Sequence, residues 1–217
     1  MYKLYSTLLL LGLAAFANPA SAADSGWYLG LDLGSADYAV MSPNVTALSQ
    51  ALAQQGFPNN TTESDTASAY GIDVGYRFDR YFALEGGYTD FGSSTGDVNI
   101  TLTPPGNAHL DLHATGETLF AVGTLPVSDR FAFFGKLGVL SYSQDLNSSV
   151  TVGTNSQTLP KFSSSGTTSG IGIGASFAFN DRFALRLGYT RFHSVGDQNT
   201  TGDGTIDLTY LQLVVGL

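Results

Sequence analysis

The stretch FNDRFALRLGYTRF, from Phe179 to Phe192, decides the fold of this chain. Related stretches occur at 78–91 (FDRYFALEGGYTDF) and at 127–138 (VSDRFAFFGKLG). Each copy places an Asp-Arg pair between two segments of alternating apolar residues, and the pairs are Asp79-Arg80, Asp129-Arg130 and Asp181-Arg182. Separations of 50 and 52 residues indicate repeated pairs of hairpins. We predict that the three pairs mark short turns at one rim of a β-barrel.

The N-terminus reads as a secretory signal peptide over residues 1–22. Lys3 supplies a basic start, 8–13 an apolar core, and Ala20-Ser21-Ala22 a small-residue cleavage pattern. The alternative is a retained membrane helix, but the apolar run falls short of the roughly 20 residues that a span needs. We therefore expect export and a mature domain over residues 23–217.

Composition narrows the class of protein further. The chain has no cysteine, so a mature domain in an oxidising compartment must be held by hydrogen bonds and packing. A net charge of −9 argues against nucleic acid as a partner. An exported chain rich in alternating segments is either a soluble β-sandwich or a membrane barrel, since only helices and closed barrels cross lipid.

Period-two alternation predicts eight antiparallel strands in an all-β, up-and-down transmembrane barrel. In the first strand Trp27, Leu29 and Leu31 face one side and small or charged residues face the other, which is the pattern of apolar side chains towards lipid. A sandwich strand alternates in the same way, but here charges recur opposite an aromatic face. The predicted strands are 27–38, 70–78, 81–91, 109–125, 131–142, 170–179, 183–192 and 206–217.

The inward-facing charges form the most informative polar set. They are Asp32, Asp73, Arg77, Glu85, Glu117, Lys136 and Arg186. On the fourth strand the pattern places Leu112, Phe120 and Val122 outward, against Asp111, His113 and Glu117 inward. Unpaired charge inside so narrow a barrel would cost several kcal/mol, so we expect pairing across the lumen. The set is then either a salt-bridged plug or a switchable gate in a narrow water path.

Loop lengths alternate, which predicts the orientation. Short turns are expected in the periplasm, and long polar loops are expected outside the cell. The predicted loops are 39–66, 92–108, 143–165 and 194–205. We expect two aromatic girdles at the strand ends. They are Trp27, Phe78, Phe131, Phe179 and Phe183 at the short-turn end, and Tyr38, Tyr70, Tyr88, Phe91, Tyr142 and Tyr189 at the upper end. Val45, Leu48 and Leu52 predict a short helix in the first loop, which packs over the barrel mouth or touches a partner.

Three segments resemble the transmembrane domain of OmpA and its small-barrel relatives: GYRFDRYFALEGGYTDFG at 75–92, LPVSDRFAFFGKLG at 125–138 and RLGYTRF at 186–192. The resemblance implies gating charges at Glu85, Lys136 and Arg186. Ser176 stands where the family has an acid, the family's strand-four lysine falls near Ala121 or Val122, and Leu217 replaces the usual terminal aromatic residue.

The same resemblance implies a monomer in the cell outer membrane, without cofactor or metal. Its expected partners are lipopolysaccharide, phospholipid and the barrel-assembly machinery, and its acidic loops are candidates for contact with an extracellular ligand. We expect a structural, envelope-integrity or surface-interaction role. The alternatives are a narrow pore or an OmpW-like channel for small solutes, and a lipid A-modifying enzyme.

Two groups of residues have side chains that could take part in catalysis or metal binding. His193, Ser194 and Asp197 lie at a strand end, where neighbouring residues point to opposite faces. The spacing of His109, Asp111 and His113 puts three side chains on one face, but a further ligand is needed for a metal site. We predict a polar rim there and no catalytic constellation.

Overall fold

The computed structural model describes residues 25–39, 41–101, 104–198 and 200–217. The predicted signal peptide lies outside these residues. The described chain contains one helix and ten strands, in this order: β1 Gly26–Tyr38, α1 Met41–Gln54, β2 Asn59–Ser64, β3 Thr66–Arg77, β4 Phe82–Ile100, β5 Gly106–Pro126, β6 Phe131–Val152, β7 Asn155–Thr158, β8 Phe162–Ala178, β9 Phe183–Asp197 and β10 Gly202–Gly216.

Eight of these strands form a closed antiparallel ring, so the predicted fold class is confirmed. Neighbouring strands pair in the order β1, β3, β4, β5, β6, β8, β9 and β10, and β10 pairs back with β1. The closing register runs from Tyr28 opposite Gly216 to Tyr38 opposite Ile206. Short β2 pairs with the far end of β4, and β7 pairs with the far end of β6.

An apolar band surrounds the outside of the ring at its short-turn end. On every strand the outward residues change from apolar to polar at one position. The last apolar residues are Leu33, Tyr70, Tyr88, Leu119, Val139, Ile171, Tyr189 and Leu211. The next outward residues are Ser35, Ser68, Asp90, Glu117, Ser141, Ser169, Arg191 and Thr209. This common boundary is the edge expected where a hydrocarbon layer ends.

Of the six aromatic residues predicted for the upper girdle, only three face outward. Tyr70, Tyr88 and Tyr189 do so, whereas Tyr38, Phe91 and Tyr142 are buried inside the ring. The lower girdle has the predicted orientation, since Trp27, Phe78, Phe179 and Phe183 are exposed on the outside and Phe131 is half-buried. Strand ends therefore attract aromatic residues for two reasons, an interface outside and a core inside.

Much of the chain predicted as loop is strand. Strand β4 continues to Ile100, β5 begins at Gly106, and β6 continues to Val152. These three strands extend well above the apolar band, and we call this extension the tall wall. From Glu117 to Gly106, β5 rises about 40 Å along its path, at roughly 3.3 Å per residue. On the opposite side β1 ends at Tyr38 and β9 ends at Asp197. The prediction failed because these segments lack an apolar outward face, the only pattern used to recognise strands.

A bulge in β4 changes which residues face inward. The pairing with β5 shifts between Asp90 and Ser93, and Gly92 has a φ of 74°, in the region that favours glycine. The Asp90 carboxylate accepts the Gly92 N–H at 2.8 Å, and Tyr38 donates its hydroxyl to the Gly92 carbonyl at 2.7 Å. Phe91 consequently points inward below the bulge and Val98 does so above it.

The three short turns share one geometry, with the Asp-Arg pair shifted by one residue in the first. In each, a residue donates its N–H to the carbonyl four residues on: Phe78 to Phe82, Val127 to Phe131 and Phe179 to Phe183. The side chain that accepts backbone N–H groups in the turn is Asp79 in the first, Ser128 in the second and Asn180 in the third. The sequence alignment by Asp-Arg pairs was therefore out of register at Asp79, although all six residues lie at the turns.

Helix α1 packs inside the tall wall rather than against lipid. Val45 is fully buried, and Leu48 and Leu52 are partly buried against the same core. The Ser49 hydroxyl donates to Asn59 Oδ1 at 2.6 Å, which ties the helix to β2. Within the described residues, no helix is long and apolar enough to cross a membrane.

Candidate functional site

The lower lumen, level with the apolar band, contains a buried network centred on Glu85 and Arg186. These two side chains, from β4 and β9 on different sides of the ring, form an ion pair. Tyr28 on β1 donates its hydroxyl to Glu85 Oε1 at 2.6 Å. Both charged side chains are nearly inaccessible to solvent, at 7% exposure for Arg186 and 4% for Glu85. The carboxylate is thus held by a cation and a hydroxyl, which offsets part of its desolvation.

The network extends through Gln212 to a pair of aspartates. Arg186 Nη1 donates to Gln212 Oε1 at 3.1 Å, and Gln212 Nε2 donates to Asp73 Oδ2 at 2.8 Å. Asp32 lies on β1 beside Asp73, as the register of Gly30 with Asp73 and of Asp32 with Gly71 requires. One amide therefore joins the cationic and the acidic parts of the lumen.

The other two inward cations lie over aromatic rings. Lys136 Nζ is 4.7 Å from the ring centre of Phe120 and 4.6 Å from that of Tyr210. The Arg77 guanidinium lies 5.4 Å from the ring centre of Tyr28, and that of Arg186 lies 5.2 Å from the same ring. Such cation–π contacts are stronger where water is excluded. The predicted lumen set is thus arranged around aromatic side chains as well as around opposite charges.

Two glycines make room for the network. A Cβ on Gly75 would lie 2.1 Å from Cζ of Tyr28, and one on Gly87 would lie 1.8 Å from Asp73 Oδ1. Any side chain at these places would displace the groups that bind Arg186 and Gln212. The small residues that alternate with charges in β3 and β4 are therefore part of the site.

Glu117 is the exception, and its assignment to the lumen was wrong. It is exposed on the outside of β5, opposite Tyr88 of β4 and directly above Leu119. On this strand the outward residues of the band include Ala121 and Gly123, so the inward residues Phe120 and Val122 are the more apolar face. The sequence pattern therefore suggested the opposite orientation for the whole strand.

The upper lumen is an apolar core. Phe192 packs edge-on against Phe91 with ring centres 5.4 Å apart, and it lies 6.1 Å from Phe120. Leu112 and Leu140 are fully buried at this level. The buried Tyr142 donates its hydroxyl across the ring to the Gly196 carbonyl at 2.9 Å. The charged interior that the sequence pattern predicts is therefore confined to the lower half, where the charges lie among aromatic side chains.

Helix α1 covers part of the mouth above this core. A cavity of about 290 Å³ lies between Asn44 and Leu48 of the helix, Leu110 and Leu146 of the tall wall, and the β9–β10 connection near Thr200. Residues from opposite sides of the ring thus face one another across the helix. Of the two roles predicted for the helix, packing over the mouth is the one seen.

The exposed surface above the band is strongly acidic. It carries two cations, Lys161 and Arg191, and eleven carboxylates: Asp37, Glu63, Asp65, Asp90, Asp97, Asp111, Glu117, Asp145, Asp197, Asp203 and Asp207. The difference of nine equals the formal net charge of the whole chain, −9. The charges cancel elsewhere, because the lower lumen and the short turns each hold three acids and three bases.

Some of these carboxylates are paired, on the outside of the tall wall and, for Asp207, between β9 and β10. Asp97 Oδ1 lies 2.9 Å from His109 Nδ1, and Asp90 Oδ1 lies 3.0 Å from His113 Nε2. Hydrogen bonding by Ser163 and Lys161 lowers the pKa of Asp145. Hydrogen bonding by Arg191 likewise lowers the pKa of Asp207. Asp145 and Asp207, with their lowered pKa, therefore remain charged at neutral pH.

Neither of the two groups weighed for chemistry lies in the lumen. His109, Asp111 and His113 share a face, as predicted, but it is the outer face and not the lumen. The described residues contain no cluster of three or more His, Cys, Asp or Glu that could hold a metal ion. The His193 carbonyl contacts the Thr168 hydroxyl, and Ser194 has a φ of 50°, so this segment bends at the end of its strand.

Sequence reasoning missed the uncharged members of the lumen network. Tyr28 and Gln212 occupy inward positions of the alternating pattern, but the predicted site contains charged residues alone. The sequence does contain a signal for them, because neutral polar side chains that share a strand face with glycines and charged residues also point into the lumen. Buried ions need hydrogen-bond partners as well as counter-ions, and neutral polar groups supply them.

A closed ring of eight antiparallel strands with an apolar outer band and a lumen of paired charges defines a transmembrane β-barrel. The family described as outer membrane protein beta-barrel domain matches residues 6–217. The chain belongs to this family and is an outer-membrane protein.

Several solved structures are similar to the chain. Neisserial surface protein A has 14% sequence identity and a TM-score of 0.48, covering 89% of this chain and 99% of its own. The N-terminal β-barrel domain of Pseudomonas aeruginosa OprF has 11% identity and a TM-score of 0.47, covering 88% and 98%. Ail, the attachment invasion locus protein of Yersinia pestis, was solved in complex with the heparin analogue sucrose octasulfate. It has 12% sequence identity and a TM-score of 0.45, covering 88% of this chain and 99% of its own. No curated protein sequence matches the chain significantly.

Proposed function

We propose that this protein is a surface-interaction barrel with a closed lumen. The observation that carries the proposal is the position of the charge, because the whole excess of nine negative charges lies above the apolar band. The proposed orientation puts the short turns in the periplasm and this acidic surface outside the cell. The same proposal includes export through a signal peptide over residues 1–22 and insertion by the barrel-assembly machinery. The inserted protein is proposed to be a monomer.

A cationic partner fits this surface. The tall wall presents Asp111 and Glu117 on its outer face, with Lys161 and Arg191 as the two cations available to neutralise the surface. A one-signed potential of this kind accelerates association with ligands of opposite charge and weakens as salt is added. The acidic surface is therefore suited to a basic polypeptide rather than to an anionic polysaccharide or nucleic acid.

The surface proposal can be tested with polylysine on intact cells that express matched variants. Asp111→Asn with Glu117→Gln removes two charges from the tall wall, whereas Asp129→Asn with Asp181→Asn removes two from the short turns. We expect weaker, less salt-dependent binding for the first variant only. Equal binding by both variants, or equal loss in both, would show that the acidic surface does not act as proposed.

Two layers of filling support the proposal that the lumen is closed. The Glu85–Arg186 network occupies the lower level, and the core around Phe192 and Leu112 occupies the upper level. An eight-stranded barrel is just wide enough for side chains to fill its interior. Refolded protein in a planar bilayer should give no stable conductance. Reproducible ion-conducting steps would favour the alternative of a narrow pore.

A further inference from the structure

A groove of about 510 Å³ opens on the lipid-facing side of the barrel, next to the short turns. Its base is the outward-facing backbone of Gly123 and Gly135, which pair with each other between β5 and β6. Its walls are large apolar side chains of the band, namely Phe82, Leu125, Phe133 and Ile173. The recess therefore lies within the hydrocarbon layer and not in water.

The two glycines at the base are not required by packing. A Cβ on Gly123 would find its nearest neighbour, a carbonyl oxygen, at 4.0 Å, and one on Gly135 would find a carbonyl oxygen at 3.8 Å. This differs from the inward Gly75, where a Cβ would overlap the Tyr28 ring. The outward glycines leave an indentation that a side chain could fill without strain. A flexible apolar chain from the bilayer can gain the same contacts.

A cation lies at the short-turn end of the groove. The Arg80 guanidinium lies 4.8 Å from the ring centre of Tyr81, and Tyr81 lines the groove. The neighbouring Asp79 accepts the backbone N–H groups of Tyr81 at 2.7 Å and Phe82 at 2.8 Å. The Asp79 carboxylate is thus engaged by the turn, and the guanidinium remains available at the level where the band ends. A guanidinium over an aromatic ring at that level is suited to a phosphate.

We propose that this groove binds one phospholipid from the leaflet on the short-turn side. One acyl chain lies over Gly123 and Gly135 between the walls of Phe82 and Phe133. The phosphate of the headgroup accepts hydrogen bonds from Arg80 at the edge of the band. The apolar recess fits an acyl chain and the cation fits a phosphate, so the two together specify a phospholipid, which neither feature would specify alone. That leaflet is periplasmic in the orientation proposed above, but the binding itself does not depend on orientation.

Native mass spectrometry of the refolded barrel in detergent, titrated with phosphatidylglycerol, tests the groove. The double substitution Gly123→Leu with Gly135→Leu fills the recess. Gly86→Leu is the matched control, because Gly86 also faces outward in the band, with a built Cβ 3.8 Å from its nearest neighbour, but does not line the groove. We expect one retained lipid in the wild type and in Gly86→Leu, and retention about tenfold weaker in the double variant, a change of one decade in affinity.

The headgroup contact is tested separately by Arg80→Gln, with Arg182→Gln at the β8–β9 turn as its control. We expect Arg80→Gln to weaken retention of phosphatidylglycerol but not of uncharged diacylglycerol, and Arg182→Gln to change neither. Equal lipid retention in all variants would overturn the proposal, even where the double-leucine variant refolds poorly, since Arg80→Gln leaves the band intact. A protein dimer that disappears in the double-leucine variant would also overturn it, because the occupant would then be a second copy of the chain.

Discussion

The lower and upper halves of this barrel place their apolar side chains on opposite faces of the sheet. The lower half has them outside, and the upper half has them inside. Within the apolar band, Leu and aromatic side chains face out and Glu85 and Arg186 face in. Above the band the same strands put Leu112 and Phe192 inside and leave the acids outside. The strands do not change, but the solvent outside them does. A strand face is apolar wherever it meets lipid or a dry core, and polar wherever it meets water or a lumen of paired charges.

The two halves are consequently stabilised by different forces. The lower lumen depends on an ion pair whose partners cannot reach water, so the loss of one partner is expensive. The upper lumen is an ordinary hydrophobic core, in which cost follows the volume removed. Substitutions in each half can therefore test whether the difference is real.

Arg186→Ala should have the largest effect. It leaves Glu85 buried without its cation, and breaking such a pair costs about 3–5 kcal/mol. Reversible urea unfolding in lipid vesicles, followed by gel mobility, measures the free energy of unfolding. The control is Lys161→Ala, which breaks an ion pair with Asp145 whose side chains are 52% and 32% exposed, and should cost below about 1 kcal/mol. Unchanged stability of Arg186→Ala would contradict the pairing.

Leu112→Ala should be the next most destabilising, by about 2–4 kcal/mol for a fully buried leucine. Leu119→Ala is the control on the same strand, because Leu119 faces lipid and is 50% exposed. The same unfolding assay should show a small change for Leu119→Ala. The reverse ranking would restore the orientation that the sequence pattern suggested for this strand.

Val45→Ala should reduce the docking of helix α1 by about 1–2 kcal/mol, through the loss of buried methyl groups. Val45 is fully buried, whereas Ala51 on the same helix is exposed. Hydrogen exchange of the helix amides should accelerate in Val45→Ala and remain unchanged in Ala51→Ser. Unaltered protection in Val45→Ala would mean that the helix is held by its other contacts.

The smallest effect concerns pH. Asp207 and Asp145 have a lowered pKa because of the donors beside them. A lowered folded pKa gives stabilisation that is complete above the unfolded value near 4 and is lost as pH falls through the folded value. Carboxyl NMR titration should therefore show both groups protonating below the usual range, and Arg191→Gln should raise the pKa of Asp207 alone. Titration of Asp207 at an ordinary value in the unaltered protein would refute the contact.

Much of the fold could be predicted from the sequence, because the apolar band repeats one pattern on eight strands. The positions of Asp73, Glu85, Lys136 and Arg186 followed from that pattern and from the short turns. The neutral members of the network, Tyr28 and Gln212, are not identified by the spacing of charges, which contains no information about amides and hydroxyls, although both occupy inward positions of the pattern. The network depends on which strands meet across the lumen, which is a property of the closed ring.

The upper half was predicted poorly for a physical reason. In the sequence, a strand of this barrel is recognised by apolar residues on its outward face. Above the band the outward face meets water and is polar, so the pattern is lost. The segments around Asp97 and Asn147 therefore read as polar loops, although they pair along β4, β5 and β6. On β5 the small outward residues Ala121 and Gly123 hid the lipid face, which reversed the assignment of Glu117.

Single-cysteine labelling tests the exchange of inside and outside most directly, since the natural chain has no cysteine. In barrels embedded in lipid vesicles, cysteine would replace one residue at a time: Glu117, Thr118, Asp97 or Val98. Leu119 in the apolar band would be replaced in the same way as a lipid-facing control. We predict that a charged maleimide modifies positions 117 and 97 rapidly, and that positions 118, 98 and 119 stay protected. Rapid labelling at 118 and 98, with protection at 117 and 97, would contradict the exchange of faces between the two halves.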